Sequence, residues 1–530
     1  MPSQPLPLGR SDFATLRTRG AVYVDKTHLV CRLAEKDYQF FLSRPHRFGK
    51  SLLLSTFASL FRDGLKHFHG LAAESIWQDR TYPVVHLDFS ILKSYRSHEE
   101  FTRQLQLHLA GGFGPCGFNA EEVFGDGFMF ALRNWLLELA DAPIVLLIDE
   151  YDAPLTSCIN RPEAFDDVKS ILSQFYGVIK SADRAFRFVF ITGITKFQGT
   201  TIFSELNNLQ DLTLCKEYGE LVGYTEDEIR RYFPDYIKRC ASVMRCSEEE
   251  LLKELKTNYD GYCFEETCTK HVFAPWSVLN FFEDPQRGFA HYWYLSGGQP
   301  AVLLSYLTSH TLSNPQYYDQ PKAISIESLL SSQSYEFMEE DALLVQTGYL
   351  TLKSRDGNIF KLRHPNKEVA TAMAILYSDE LLRNTPVTRL KFAKLPHIIE
   401  RGRIEEIAEL FNLAFASIDY NRYPIRDEAS CRAYLHVLLL GAALLTRVEM
   451  HSALGRSDLE ADVGSVQWVF EIKFVAHEAQ APLALEEALR QMESRRYGSN
   501  SLSERLIRRA ALVFNGEERR FTLYEEQPSG

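Results

Sequence analysis

Asp458-Leu459-Glu460-Ala461-Asp462-Val463-Gly464-Ser465-Val466-Gln467-Trp468-Val469-Phe470-Glu471-Ile472-Lys473 reads as two strands joined by a two-residue turn that contains glycine. Pairing Val463 with Val466 brings Asp458 opposite Glu471, on one face, with Cβ atoms about 5 Å apart. Lys473 lies two residues beyond Glu471 and projects from that face. Two carboxylates so placed repel each other unless a divalent cation sits between them, and an amine beside them can orient or deprotonate a water. The hairpin therefore outlines a metal-dependent phosphodiesterase site, with Asp458 and Glu471 as metal ligands and Lys473 acting on the water. A plainer reading stands beside it: alternating acids and bases on a strand also mark a solvated face.

The flanking residues bear on that choice. Gly455-Arg456-Ser457-Asp458, the strand Glu471-Ile472-Lys473 and the later Gln491-Met492-Glu493-Ser494-Arg495-Arg496-Tyr497 resemble the PD-(D/E)XK nuclease superfamily, in the form with a trailing Q-x5-Y helix. The resemblance spans residues 420–530. It implies that Asp458 and Glu471 hold Mg²⁺ or Mn²⁺, that Lys473 activates water, and that Gln491 and Tyr497 orient the site. Such folds often carry a further glutamate on the helix before the hairpin. Glu428, at the start of the apolar helical stretch 431–445, matches it, and Glu449 on the strand candidate 446–450 competes. Arg490, Arg495, Arg496, Arg505, Arg508 and Arg509 lie near the hairpin in sequence and offer charge to a nucleic acid, or simply a solvated surface.

A second constellation occupies the N-terminal half. The short apolar strand 38–42 runs into Ser43-Arg44-Pro45-His46-Arg47-Phe48-Gly49-Lys50-Ser51, followed by a helical stripe of Leu53, Phe57, Leu60 and Phe61. Strand, loop, Gly-Lys-Ser and helix in that order form the setting of a phosphate-binding loop, although Arg44 stands where its first glycine usually does. Helix N-terminal amides and Lys50 hold phosphates, and the Ser51 hydroxyl reaches Mg²⁺. The apolar run 144–148 suits a central parallel strand and ends in Asp149 and Glu150, where open α/β sheets bind ligands. Asp149 would hold Mg²⁺ through water, and Glu150 would polarise the attacking water. A third strand, 188–191, ends at Thr192, the place for a γ-phosphate sensor, and 84–88 supplies a fourth. Arg44, Arg47, Gly49, Lys50, Ser51, Asp149 and Thr192 make up the expected ATP-binding set.

Tyr23-Val24-Asp25-Lys26-Thr27, the loop 44–51, Ile148-Asp149-Glu150-Tyr151-Asp152 and Asn207-Asn208-Leu209-Gln210-Asp211-Leu212-Thr213 resemble the AAA-ATPase-like family, whose members commonly end in a PD-(D/E)XK domain. Tyr259-Asp260-Gly261-Tyr262, Gly348-Tyr349-Leu350-Thr351 and Pro365-Asn366-Lys367-Glu368-Val369 fit the same family, so the resemblance covers nearly the whole chain. His46 departs from it, replacing the arginine usual there and removing a permanent charge from the loop.

At 530 residues the chain needs more than one domain. The expected fold class is α/β multidomain. It comprises a P-loop NTPase domain with a parallel β-sheet over 1–290, a helical, winged-helix-like connector over 291–375, and an α/β nuclease-like domain over 376–530. Residues 215–290 read as helices and turns, with Thr225 as a cap. A hairpin is expected around Arg355-Asp356-Gly357-Asn358. No apolar run approaches bilayer length, and no secretory signal begins the chain, which reads as cytoplasmic with no membrane partner. Nine cysteines, an odd number without framework spacing, read as free thiols; Cys263, Cys268 and His271 lack a fourth zinc ligand. A net charge of −12 argues against indiscriminate coating of nucleic acid but leaves a local basic groove open. The partners expected are ATP and a nucleic acid, DNA ahead of RNA. Arg184, Arg187, Arg230 and Arg231 are candidate arginine fingers; one supplied by a neighbouring copy would make hydrolysis depend on homo-oligomerisation. The leading reading is an ATPase coupled to a metal-dependent nuclease. The alternative is a nucleotide-dependent switch or scaffold whose nuclease-like domain binds without cutting.

Overall fold

A computed structural model of the chain describes residues 4–36, 38–120, 123–139, 142–196, 206, 208–295, 303, 321–330, 339–382, 394–442, 444–448, 451–452, 455–456, 458–495 and 506–527. The chain divides into two compact units, one of Met1–His310 with Pro321–Val369 and one of Ala370–Gly530 with Thr311–Gln320.

The first unit is built on five parallel strands: β1 (Gln39–Ser43), β2 (Val84–Asp88), β3 (Ile144–Asp149), β4 (Phe186–Gly193) and β5 (Leu209–Asp211), in the order β2-β3-β4-β1-β5. β1 and β3 are buried along their whole length, as continuous Phe, Leu, Ile and Val runs require of strands covered on both faces. Helix α1 (Lys50–Asp63) follows β1 and buries Leu53, Leu54, Phe57, Leu60 and Phe61; α2 (His98–Phe113) lies along β2. At Gly112 of α2 a side chain would strike Leu87, so glycine permits that close approach. β5 was not anticipated: Gln210 and Asp211 give its three residues little apolar character.

Beyond β5, Thr225 and Glu228 form a capping box on α3 (Glu226–Tyr232), followed by α4 (Pro234–Met244), α5 (Glu248–Tyr259) and α6 (Pro275–Glu283). These helices enclose a second core of Ile229, Phe233, Leu255, Tyr259, Phe281 and Phe282. A three-stranded antiparallel sheet, β6 (Lys322–Ser325), β7 (Thr351–Asp356) and β8 (Ile359–Arg363), has the expected hairpin, which turns on Gly357 at φ 58°.

In the second unit α7 (Leu395–Arg401), α8 (Ile404–Phe415) and α9 (Glu428–Gly441) precede a mixed sheet. Its strands are β9 (Leu445–Val448), β12 (Leu459–Val463), β13 (Val466–Val475), β14 (Leu506–Asn515) and β15 (Arg520–Gln527), in the order β15-β14-β13-β12-β9; β10 (His451–Ser452) pairs with β11 (Gly455–Arg456). The apolar helix ends at Gly441, short of the expected 445, because Leu445 already belongs to β9. β13 and β14 are parallel and are joined through α10 (Ala481–Arg495). Alternate residues of β13 separate two faces: Phe470 packs on Phe411 of α8 and Trp468 donates to Ile399 O of α7, while Val469 packs with Ala488 and Met492 of α10. No described helix is long and apolar enough to cross a membrane.

Candidate functional sites

The loop between β1 and α1 is shaped by two residues in the left-handed region, Arg47 (φ 68°) and Gly49 (φ 95°). The loop and the first residues of α1 help line a cleft of 480 Å³, with His46, Arg47, Gly49, Lys50, Ser51 and Glu150 and also Pro7, Leu8, Tyr224, Pro275, Trp276 and Leu279 in its walls. Lys50 is buried and donates from Nζ to Arg44 O (2.9 Å) and Pro45 O (3.0 Å). Burial lowers its pKa, against the pull of Asp149, Asp152 and Glu150. Burial, then Lys50, Lys93 and Arg47, push His46 down to about 3, so this loop histidine is neutral at physiological pH.

β3 and β4 deliver the polar residues. Asp149 Oδ1 accepts from Thr192 Oγ1 at 2.7 Å and from Glu150 N at 3.0 Å. Glu150 sits at φ 49°, a costly conformation for a side-chain-bearing residue, and pairs with Lys93 at 3.0 Å. Asp152 Oδ2 fastens the end of β4 by accepting from Ile194 N, Thr195 N and Thr195 Oγ1.

Arg44 is the expected loop residue that faces elsewhere. Its guanidinium is fully enclosed, donates to the carbonyls of Ser43, Thr213 and Tyr218, and lies 4.6 Å from the centre of the Phe264 ring; burial brings its pKa down to about 9. Only its carbonyl meets Lys50. Arg47 does line the cleft, its guanidinium 4.4 Å over the Trp276 ring. Of the arginine-finger candidates, Arg187 is held by Asp79 and the Ala34 carbonyl, and Arg230 by Glu226 and Glu249. The segment around Cys263, Cys268 and His271 is organised by Glu265, whose carboxylate accepts from Thr267, Thr269 and Lys270 N–H groups.

In the second unit β12 pairs with β13 from Leu459↔Phe470 to Val463↔Val466, the register read from the turn. Gly464 at φ 52° makes that turn. Asp458 lies one residue beyond the last pair, and its Oδ2 accepts from Ile472 N at 2.9 Å. Glu471 is fully buried. Its Oε1 stands 3.5 Å from Lys473 Nζ, and its Oε2 meets no hydrogen-bond donor. Burial, then the Asp458 charge, pushes Glu471 up to about 8. Glu428, in the first turn of α9, lies 3.7 Å from Lys473 Nζ and is raised by burial and by Asp458. Burial alone would lower Lys473, but Glu428, Glu471 and Asp458 together raise it. Asp458, Glu471, Lys473 and Glu428 therefore come together.

Gln491 lies half-buried on α10, next to Met492, which packs on the Glu471-bearing face of β13. Glu449, Ser457, Arg496, Tyr497 and Arg505 lie outside the described residues. Arg508 is turned away, forked onto Glu526 at 2.6 and 2.7 Å and 4.2 Å over Trp468. The residue unforeseen in the sequence is Arg432, one turn after Glu428 on α9, whose Nη1 donates to Asp458 Oδ1 at 3.3 Å. Its i,i+4 spacing from Glu428 was a signal, but only helix docking shows where it points.

Among the described residues no three His, Cys, Asp or Glu side chains are preassembled as ligands for one ion. The donor set still fits a divalent cation: a buried carboxylate oxygen without a partner, beside a second carboxylate that raises its pKa, leaves a demand for positive charge. Asp458 and Glu471 would hold such an ion, which would supply Lewis-acid stabilisation of a developing phosphoryl charge.

Residues 7–203 match a family model described as predicted AAA-ATPase, and residues 427–522 match one described as PD-(D/E)XK nuclease superfamily. A protein of Azotobacter chroococcum mcd 1, described as an uncharacterized protein in the vnfD 5' region, is 29% identical over 489 residues, 90% of this chain and 90% of its own.

Proposed function

We propose that this chain, which joins a predicted AAA-ATPase domain to a C-terminal PD-(D/E)XK nuclease superfamily domain, hydrolyses ATP in its first unit to control phosphodiester cleavage in its second. Buried Glu471 beside Asp458, with one oxygen unpartnered, carries this reading. A core acid in a purely structural role would be enclosed by donors; this one faces other acids and a lysine. Lys473 holds and orients the attacking water, while Glu428 keeps the Lys473 ammonium in place. In the first unit Lys50 and the α1 amides bind phosphates, Ser51 and Asp149 serve Mg²⁺, Thr192 reads the terminal phosphate through Asp149, and Glu150 orients the hydrolytic water. DNA is the substrate ahead of RNA, Mg²⁺ or Mn²⁺ the cation, and the cytoplasm the location. Defence against foreign DNA or upkeep of mobile elements fits by analogy with such fusions.

One observation favours the switch-or-scaffold reading: both Asp458 oxygens are engaged, by Arg432 and by Ile472 N. Purified protein incubated with DNA and RNA substrates and Mg²⁺ or Mn²⁺, with and without ATP, separates the two. Cleavage that vanishes in Asp458→Ala, and that Lys50→Ala uncouples from ATP, is the expected result. ATP hydrolysis without cleavage of any substrate would transfer the case to the switch.

A further inference from the structure

Two chemistries meet in the lining of the cleft at the phosphate loop. Lys50, Ser51 and the loop supply charge and polar groups, while Leu8, Tyr224, Pro275, Trp276 and Leu279 supply apolar surface. Apolar surface beside a charged loop favours a ligand that carries apolar area next to its charge. Phosphates alone offer none of that area. A nucleobase offers two flat faces, and aromatic side chains are the usual platform for them.

The apolar part of the lining is fixed from behind. Pro275 opens α6 at its first helical position, and Val278, Phe281 and Phe282 bury that helix in the core it shares with α3, α4 and α5. Leu8, Tyr224 and Trp276, from three separate stretches of the chain, pack against the same core. Trp276 stays only half-buried, so the core holds the indole while the cleft leaves part of it uncovered.

Its distance from the loop suits a base. Arg47 belongs to the phosphate loop, and its guanidinium lies 4.4 Å over the Trp276 ring. The ring therefore stands one arginine side chain from the loop. That span is comparable with the α-phosphate and ribose that separate a held β-phosphate from its base. The same pairing shows that the indole receives a flat, delocalised group face on. A purine is such a group, with a larger face to stack than a pyrimidine.

We infer, resting on ATP binding by the first unit, that Trp276 is the residue on which the nucleobase stacks, and that it favours purine over pyrimidine nucleotides. Lys50 and the α1 amides hold the phosphate end, and the indole sets where the base end lies.

The test titrates the full chain in Mg²⁺ with ADP, CDP and pyrophosphate by calorimetry. ADP avoids turnover, and pyrophosphate keeps the phosphate end without a base. Trp276→Leu should bind ADP about tenfold or more weakly, the scale of one base–aromatic stack, and pyrophosphate within about twofold of the parent. The parent's preference for ADP over CDP should shrink in the same variant, and Trp276→Phe should restore most of the lost ADP affinity. An indole with only a structural role would move ADP and pyrophosphate together. Parent-like ADP binding in Trp276→Leu, equal losses for ADP and pyrophosphate, or no preference for ADP over CDP in the parent overturns the inference. If Trp276→Leu unfolds early, Trp276→Phe decides in its place. It should keep ADP binding yet lose the quench of tryptophan emission that ADP causes in the parent, and a quench that persists overturns the inference. Lys50→Ala separates the two levels. If it binds ADP and pyrophosphate as the parent does, the nucleotide site itself fails; if both are lost there while Trp276→Leu keeps ADP, only the role of Trp276 fails.

Discussion

Each unit holds a buried glutamate that its surroundings push to about 8, yet Glu368 and Glu471 are enclosed in opposite ways. Glu368 Oε1 accepts from Trp293 N and Oε2 from Ser277 Oγ, both at 2.7 Å. Glu471 has one oxygen 3.5 Å from Lys473 and the other with no donor, and Asp458 and Glu428 add to its upward push. Burial is therefore the same in the two cases and partners differ. Burial keeps Glu368 uncharged despite its donors, and because both of its oxygens are met by hydrogen bonds it is satisfied and holds the chain together. An acid surrounded by acids is poorly satisfied until a positive ligand arrives, which is the state in which a site is kept.

The largest effect follows from exchanging each acid for its amide. Glu471→Gln keeps shape and neutral-pH charge but removes the capacity to become a carboxylate when a cation is bound. Cleavage should fall about a hundredfold or more, with an unfolding temperature no lower than the parent's. Glu368→Gln should leave both cleavage and ATP hydrolysis at the parent level. Parallel assays of the two variants break the comparison if Glu471→Gln still cuts or Glu368→Gln does not.

A second pair of residues gives a smaller contrast. Gly464 and Gly357 each occupy the first place of a two-residue hairpin turn, at φ 52° and 58°. Valine at either costs about 1–2 kcal/mol for the left-handed backbone alone. At Gly464 its Cβ would also press the Glu400 carboxylate, whereas at Gly357 it meets open space. Both variants should lose a few degrees in Tm, but only Gly464→Val should lose cleavage beyond what unfolding explains, because its turn sets Asp458 against Glu471. Cleavage measured well below both transitions tells the two apart. Equal retention would mean that register tolerates the turn.

Why the sequence disclosed some of this and not the rest follows from what each feature depends on. The phosphate loop is contiguous with its strand and helix, and the strands ending in Asp149 and Thr192 are long apolar runs, so local pattern was enough. The Asp458–Glu471 pairing was legible for a different reason: a two-residue turn leaves one register, and that register is the observed one. Arg44 shows the limit. Adjacent to the loop in sequence, it reads as a phosphate ligand, but its guanidinium reaches Thr213 and Tyr218, which no spacing rule connects to it. Arg432, Trp276 and Glu368 are the same kind of case, since each acquires its role from a packed neighbour on another element. The arginines 490–509 illustrate the converse, for at Arg508 closeness in sequence led to the opposite face of the sheet.

The last contrast is a slope in stability with pH, and its sign follows from proton counting. Glu368 has an ordinary value of 4.5 and a folded value of about 8. Between those values the folded chain keeps a proton that the unfolded chain has released. Its contribution to stability is therefore complete below about 4.5, declines as pH rises, and is gone above about 8. The slope from one such group is at most about 1.4 kcal/mol per pH unit. Glu368→Gln cannot ionise, so denaturant unfolding of the first unit should show the variant gaining on the parent from about pH 5 to about pH 8, then running parallel to it. Glu471→Gln should behave alike in the second unit as long as divalent ions are chelated. Adding Mn²⁺ should then stabilise the parent over Glu471→Gln, because only the parent can offer the second carboxylate. The Glu368 pair should not respond to Mn²⁺ at all. A shared response would mean that the two acids differ less than their partners indicate, and an unresponsive Glu471 would make it a core acid like Glu368.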